Sequence, residues 1–422
     1  MPSEVKITVD ELPVSVKEDA VYIINQPNPN SFTHNYFKYP CKFIPEIPRW
    51  AIKSFVGNDT TGAKILDPFA GSGTSLLEAS LAGATAYGAE IDDVAKLIIK
   101  VKTTPLSSEQ IKLAKESALA ITEEIESQKY DISKVIYPGI NNLNHWFRED
   151  ILKDLGFLYS SILDISDDDT KDFLLICMAS IIKRVSNCDD ISPKPYVSNN
   201  IIKNPPPVSK TFMDTVDKYL VGMSELSGYK LSPVIVAGDA TNLPFENSQF
   251  DLAVTSPPYI NAFDYVRTLR LENLWLNMTN EDDLREKKKQ YLGTECIRTK
   301  KERENLVILE ESDLLRTYFD AINQVDEKRA LITKKFFEDM KTNMQEVYRT
   351  LKPGAKYVIV IGNSSIRKID VESWRVLKDL AQVVGFKYSS HIGYEIQNPY
   401  IRIPRGNKGG KIAIDHMLII ER

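Results

Sequence analysis

Apolar positions along the chain switch period several times, and the switches divide it. Ala63-Lys-Ile-Leu-Asp67 is a short β-type run, broken by the glycine-bearing stretch Pro68-Phe-Ala-Gly-Ser-Gly-Thr74. Ser75 to Leu81 reads as a helix start, and Gly83 ends that helix. Ala84 to Ile91 is a second strand with Glu90 near its end. Strand, turn, helix and strand open a doubly wound parallel sheet. Asp92 to Thr103 begins another helix, and helical periodicity continues at Ser107 to Ser127, Glu149 to Leu163, Asp169 to Val185 and Ser209 to Met223. A proline-rich loop, Ile191 to Val208, divides these helices. Strand signals return at Val234 to Ala237 and Asp251 to Thr255, followed by a helix from Asp264 to Met278. After a charge-dense stretch come a helix from Phe336 to Leu351, a strand from Ala355 to Ile361 and a helix from Val371 to Val384. Phe386 to Tyr394 and Lys411 to Ile420 form a final antiparallel hairpin.

The pattern predicts an α/β fold: a Rossmann-like, mostly parallel sheet of seven strands carrying a helical insert and a charged insert. Residues 1–103 hold the first half of the core, with the first 30 residues as a lead-in and a short helix near Ile44 to Phe55. Residues 104–230 are the helical insert, 231–278 return to the core, 279–335 are the charged insert, and 336–422 complete the core.

Composition narrows the function. Hydrophobic residues at 43% and charged residues at 26% exclude a mainly disordered, collagen-like or coiled-coil chain. A formal net charge of -5 excludes a globally basic nucleic-acid binder, so any polyanion must meet local basic patches. Cys41, Cys177, Cys188 and Cys296 lack CxxC spacing, and none of the four histidines forms a metal-ligand pair, so no metal site is expected. Dispersed cysteines, the absence of a signal-peptide pattern and the lack of a long apolar run suit a cytoplasmic protein without a membrane partner.

The glycine turn lets a ligand approach the backbone, with Asp67 and Pro68 leading into Phe69, Ala70, Gly71, Ser72, Gly73 and Thr74. It lacks the third glycine of the dinucleotide fingerprint. Glu90, beside Ile91, stands close to where a ribose-binding carboxylate is expected, although a solvated strand end reads the same way. Asp239, beside Ala240, follows the strand VIVA and would sit at the same sheet edge, as a purine amino-group acceptor or as a turn aspartate. Thr255-Ser-Pro-Pro-Tyr259 then ends the strand DLAVT. Its prolines stiffen the loop and remove two N–H groups. The Ser256 oxygen and Pro257 carbonyl could accept from a base amino group, with Pro258 fixing the turn and Tyr259 offering a flat face. Chemistry on such a site is orientation, desolvation and acceptor placement.

In that order, DPFAGSGT (67–74), GAEID (88–92), GDA (238–240) and TSPPY (255–259) resemble the ordered motifs of amino-group DNA methyltransferases dependent on S-adenosyl-L-methionine. Tyr39-Pro-Cys-Lys-Phe-Ile-Pro-Glu-Ile-Pro48 is similar to the family's amino-terminal motif, and LKPGAKYVIVIGNS (351–364) to a later strand. The resemblance implies methyl transfer to an exocyclic nitrogen of a flipped base in double-stranded DNA with a specific recognition sequence. It implies that Phe69, Ala70 and Gly71 cradle the cofactor, Glu90 its ribose, Asp239 its adenine amino group, and Phe43 and Ile44 its methionyl end. Ser256, Pro257, Pro258 and Tyr259 would form the catalytic loop. In that family, serine before Pro-Pro-Tyr leans toward cytosine N4 over adenine N6, so the resemblance implies cytosine N4. A restriction-modification setting with a cognate endonuclease follows by analogy. Two features depart from the pattern: the glycine motif precedes SPPY, and the helical insert separates the Glu90 and Asp239 strands.

Phosphate contacts would come from Arg285, Lys287, Lys288, Lys289, Arg298, Lys300, Lys301 and Arg303, or from Arg402, Arg405, Lys408 and Lys411. Lys183, Arg184 and Lys194, near Asn187, Asn199 and Asn200, could meet DNA from the helical insert. Alternatives are an RNA methyltransferase, a nicotinamide-dependent oxidoreductase and a non-catalytic DNA-binding protein on the same scaffold.

Overall fold

The computed structural model describes residues 5–25, 30–200, 202–260, 264–396 and 413–422. Its strands are β1 (Lys6–Val9), β2 (Val21–Ile24), β3 (Lys64–Asp67), β4 (Thr85–Gly88), β5 (Val234–Val236), β6 (Phe250–Thr255), β7 (Leu351–Gly362), β8 (Ser364–Ile366), β9 (Ile369–Val371), β10 (Lys387–Glu395) and β11 (Ile414–Glu421). Nine of them form one sheet in the order β1-β2-β10-β11-β7-β6-β3-β4-β5, and β8-β9 is a separate hairpin. Every neighbouring pair in the large sheet is parallel except the two that involve β11.

Strand alternation sets the two faces. On β7, Tyr357, Ile359 and Ile361 pack toward the helices Asp313–Asn323, Glu327–Thr350 and Ser373–Val384. Val358 and Val360 point the other way, toward the helices Glu46–Phe55 and Thr74–Ala82. Each such fully buried side chain contributes roughly 1.5–3 kcal/mol. The helices Ser108–Ser127, Glu149–Leu163, Asp168–Val185 and Val208–Leu226 form a further layer. They share one apolar cluster with Val94, Ala95 and Ile98 of the helix Asp93–Thr103 and with Leu271 and Trp275. The segment 104–230 therefore rests on the sheet's own helices.

The sheet exceeds the expected seven strands by β1 and β2, inside the stretch read as a lead-in. Both have four residues, and β2 pairs with β10 at only two positions, Val21↔Gly393 and Tyr22↔Tyr394. A strand ordered by a partner so far along the chain leaves little local signature. The last long helix begins at Glu327 rather than Phe336, because Asp326 caps it by accepting from the Arg329 N–H at 3.1 Å. The helix expected over Asp264 to Met278 is two short pieces, Tyr265–Thr268 and Arg270–Trp275. Among the described residues, no helix is long and apolar enough to cross a membrane.

One packing contact positions the chain that leads to the site. Tyr36 stacks on Tyr219 with centroids 4.3 Å apart, and the Tyr219 hydroxyl accepts from the Phe37 N–H at 2.8 Å. Gly222, on the same helix, admits the turn beneath it: a Cβ there would lie 2.2 Å from the Phe32 carbonyl oxygen. Alanine normally stabilises a helix interior by about 1 kcal/mol over glycine. Here the clash with backbone should reverse the sign, and Gly222→Ala should lower stability by about 2 kcal/mol. Urea unfolding checks this; an unchanged or raised midpoint would show that the turn moves freely.

Candidate active site

The glycine turn hangs from the carboxyl ends of β3 and β4. Parallel pairing places Asp67 beside Gly88, and two backbone bonds extend the ladder past the strands: Ala89 N–H to the Asp67 carbonyl and Ala70 N–H to the Ala89 carbonyl, each at 3.0 Å. Gly71 and Gly73 have φ of +51° and +76°. At Gly73 a Cβ would also meet Ile99 Cγ1 at 2.9 Å, so glycine is required for both conformation and closeness.

Three carboxylates organise the edge. Asp67 is buried; its Oδ1 accepts from the Phe69 N–H at 3.1 Å and the Thr255 hydroxyl at 2.6 Å. Burial pushes its pKa up to about 6, against the lowering effect of these hydrogen bonds. Glu90 Oε2 accepts from the Gly71 N–H at 2.9 Å, while Oε1 accepts from the Ile91 and Asp92 N–H groups, both at 2.8 Å. Burial carries its pKa up to about 8, with the Asp92 charge adding to the rise. These bonds use three of the roughly four acceptor positions of a carboxylate. Asp239 is exposed and caps its own turn, its Oδ1 accepting from the Thr241 N–H at 2.7 Å and the Thr241 hydroxyl at 2.8 Å.

A cavity of about 860 Å³ joins these groups. Of the residues expected from the sequence, Phe43, Asp67, Pro68, Phe69, Ala70, Gly71, Ser72, Thr74, Glu90, Ile91, Asp239, Ala240, Ser256 and Pro258 border it. Ile44, Gly73, Pro257 and Tyr259 stand outside that lining. Ile44 packs with the cluster around Trp50, Gly73 caps the helix Thr74–Ala82, and Pro257 is buried. Tyr259 packs against the cluster around Phe336 and Phe337, and the buried Asp415 carboxylate accepts from Tyr394 at 2.8 Å.

Several contributors escape a local reading. Tyr39, Tyr265 and Tyr291 all border the cavity and stack in series, with centroids 6.0 and 6.2 Å apart. The Tyr291 hydroxyl donates to Asp92 Oδ2 at 2.8 Å, bringing the charged segment over the pocket. Asp92 also caps the helix Asp93–Thr103 through the Ala95 N–H, a role its place before that helix foretells. Lys102 is wholly buried, and its Nζ donates to the Ser72 carbonyl at 2.7 Å. Its position four residues after Ile98 on an apolar stripe is the available signal.

The expected basic patches divide. In the charged segment, Lys287 pairs with Asp93 at 3.0 Å and Lys288 with Asp264, while Arg285, Lys289, Arg298 and Lys301 border the cavity. In the helical layer, Lys183 donates to the Ser192 carbonyl and Asn187 Nδ2 to the His145 carbonyl at 3.2 Å. Asn199 and Asn200 are exposed. Arg402, Arg405, Lys408 and Lys411 lie outside the described residues.

A glycine turn, strand-end acids and a proline-stiffened loop around one cavity form the arrangement in which open α/β sheets hold their ligands. The chain is 26% identical over 424 residues to the Type II methyltransferase M.MvaI of Kocuria varians, covering 94% of this chain and 91% of that protein. It is 25% identical over 429 residues to the Type II methyltransferase M.BsoBI of Geobacillus stearothermophilus, covering 86% and 80%. Among solved structures, a SAM-dependent methyltransferase from Methanosarcina mazei aligns with 87% of this chain and 95% of that one, at a TM-score of 0.31 and 10% identity. No protein-family model matches the chain.

The two raised acids set a pH dependence for the ligand-free protein. Their ordinary values are 3.8 and 4.5, so the stability they contribute is fully present below those values and is lost as pH rises through about 6 and then about 8. Melting temperature should fall between pH 5 and pH 8.5 (roughly this window, from the linkage relation). Glu90→Gln should flatten the upper part of that fall, and an identical slope in variant and parent would remove Glu90 as its source.

Proposed function

We propose that the chain is a site-specific DNA methyltransferase that moves a methyl group from S-adenosyl-L-methionine to an exocyclic amino group of a flipped base, with cytosine N4 preferred over adenine N6. The observation that carries this is the meeting of Gly71, Glu90, Asp239 and Ser256 around one cavity. Type II methyltransferase relatives aligned along nearly the whole chain support it, and support a setting with a cognate restriction endonuclease.

The pocket's residues suit the cofactor. Glu90, with three of its acceptor positions spent on the loop, keeps one for a ribose hydroxyl. Asp239 Oδ2, which has no hydrogen-bond partner among the described residues, would accept from the adenine amino group. Phe43 and Ile44 would flank the methionyl end, and a Cβ on Gly71 would press to 3.3 Å from the Tyr39 ring. S-Adenosylmethionine would supply an electrophilic methyl group: its carbon–sulfur bond breaks as the amino nitrogen bonds to the carbon, S-adenosylhomocysteine leaves, and the extra proton on nitrogen is lost to water.

On the acceptor side, Ser256 Oγ and the Pro257 carbonyl take the two amino protons as hydrogen bonds, which aims the nitrogen lone pair outward. The diproline corner fixes these acceptors, so little reorganisation accompanies reaction. Tyr259 would offer its ring to the extruded base. Serine at 256 in place of a carboxylate underlies the cytosine preference.

The test is a reaction with methyl-labelled cofactor and genomic DNA, digested to nucleosides. Label in N4-methylcytosine is expected; label in N6-methyladenine would reassign the base, and label in RNA alone would overturn the DNA reading. Tyr259→Ala should lose turnover by ~100-fold or more while S-adenosylhomocysteine still raises its melting temperature. Loss of that stabilisation with unchanged turnover per bound enzyme would contradict the role of Tyr259, and stabilisation by a nicotinamide cofactor instead would favour an oxidoreductase.

A further inference from the structure

The basic side chains of the segment 285–303 look alike in sequence but have two different environments. One set is committed to carboxylates that hold the segment in place. Lys287 reaches Asp93 at 3.0 Å, Lys288 reaches Asp264, and Arg303 Nη2 reaches Glu327 at 2.6 Å. Lys334, beneath the segment and wholly buried, pairs with Glu302 at 2.8 Å and Glu338 at 3.0 Å. The other set is Arg285, Arg298, Lys301 and Lys328. All four are exposed, all four border the cavity that Gly71 and Ser256 share, and none has a carboxylate within ion-pair distance among the described residues.

Of the acids near the basic rim, four are already matched to cations, and Asp239 is the exception, with no ion pair among the described residues. Glu295 pairs with Arg329 at 2.6 Å, Glu302 with Lys334, and Asp339 with Lys335; Glu286, whose charge reaches Arg285 and Arg298, pairs with Lys289. The opening therefore carries cations with no ion-pair partner of their own among the described residues, in a chain of net negative charge. Uncompensated cations at the mouth of a cleft concentrate the field there and recruit an anion that spans them. A duplex backbone, with one charge per roughly 1.7 Å of axis, is such an anion.

We propose that Arg285, Arg298, Lys301 and Lys328 form the phosphate-docking surface for duplex DNA, and that Lys287, Lys288 and Arg303 are anchors of that surface with no DNA contact. This rests on the functional reading above and assigns its partner to one face. Three residues of the expected patch are thereby removed from the interface, and Lys328, outside the sequence run, is added.

The experiment measures binding of a fluorescein-labelled DNA duplex of mixed sequence, with S-adenosylhomocysteine present, across a range of salt concentrations. The triple variant Arg298→Gln, Lys301→Gln, Lys328→Gln should flatten the slope of log K against log salt by about 3, near one unit per lost phosphate contact. Arg303→Gln should keep the parent slope. Thermal stabilisation by S-adenosylhomocysteine confirms that each variant folds and retains its cofactor pocket. A parent-like slope in the triple variant, or a flattened slope in Arg303→Gln, overturns the surface while the methyltransferase reading stands. A parent protein that binds single-stranded RNA but no duplex overturns both.

Discussion

One buried carboxylate joins the two halves of the site. Asp67 ends β3, and its Oδ1 accepts from the Phe69 N–H of the glycine turn and the Thr255 hydroxyl at the end of β6. Parallel pairing of Ile65 with Leu252 and Leu66 with Ala253 brings the two strand ends side by side, within reach of a single side chain. The turn before the helix Thr74–Ala82 and the loop that begins at Ser256 are thus set relative to each other by one acceptor in a low-dielectric position. An unmet donor there costs roughly 1–3 kcal/mol, so misalignment of either loop is penalised. On the proposed mechanism, which relies on placing two reactants rather than on a covalent nucleophile, that mutual setting is the main contribution the scaffold can make.

The remaining walls are tied to this junction from other layers. Lys102 reaches the Ser72 carbonyl from inside the helix Asp93–Thr103, and burial drives its pKa well below the usual lysine range. Asp92 accepts from Tyr291 and from Asn273, linking the charged segment and the helix after the diproline loop to the end of β4. The stacked series of Tyr39, Tyr265 and Tyr291 then closes the pocket with rings from three separated parts of the chain. Apolar stacking tolerates small displacements better than a single hydrogen bond does, and so it suits a wall that must admit a ligand.

The local part of this design is legible in the sequence. The glycine turn, the strand-end acids and the diproline loop are each encoded by a few adjacent residues, because turns and strand ends are set by φ restrictions and N–H supply. The seven expected strands correspond to real ones, and the helical run 104–230 is helical. What escapes is whatever depends on a distant partner. β2 is a strand because β10 is there to pair with, and β1 is one because β2 is. Tyr291 belongs to the pocket through an acceptor 199 positions earlier. Lys287 and Arg298 sit in one basic run, yet Asp93 claims the first and nothing among the described residues claims the second. Composition cannot sort them, since pairing is decided by tertiary proximity.

That sorting reconciles the net charge of -5 with the proposed polyanionic partner. The cavity is acidic in depth and basic at its mouth: Asp67 and Glu90 lie at the sheet edge, while Arg285, Arg298, Lys301 and Lys328 are exposed around the opening. A cationic ligand gains from the inner acids, most of all when it draws Glu90 into its charged form against a pKa of about 8. An anion gains only at the rim, where water still screens its approach and salt weakens it. Depth therefore separates the two electrostatic preferences that the proposed sulfonium donor and phosphate backbone would impose. A single chain can satisfy both without a globally basic surface, provided the basic groups that hold its own segments in place are not the ones left facing the cleft.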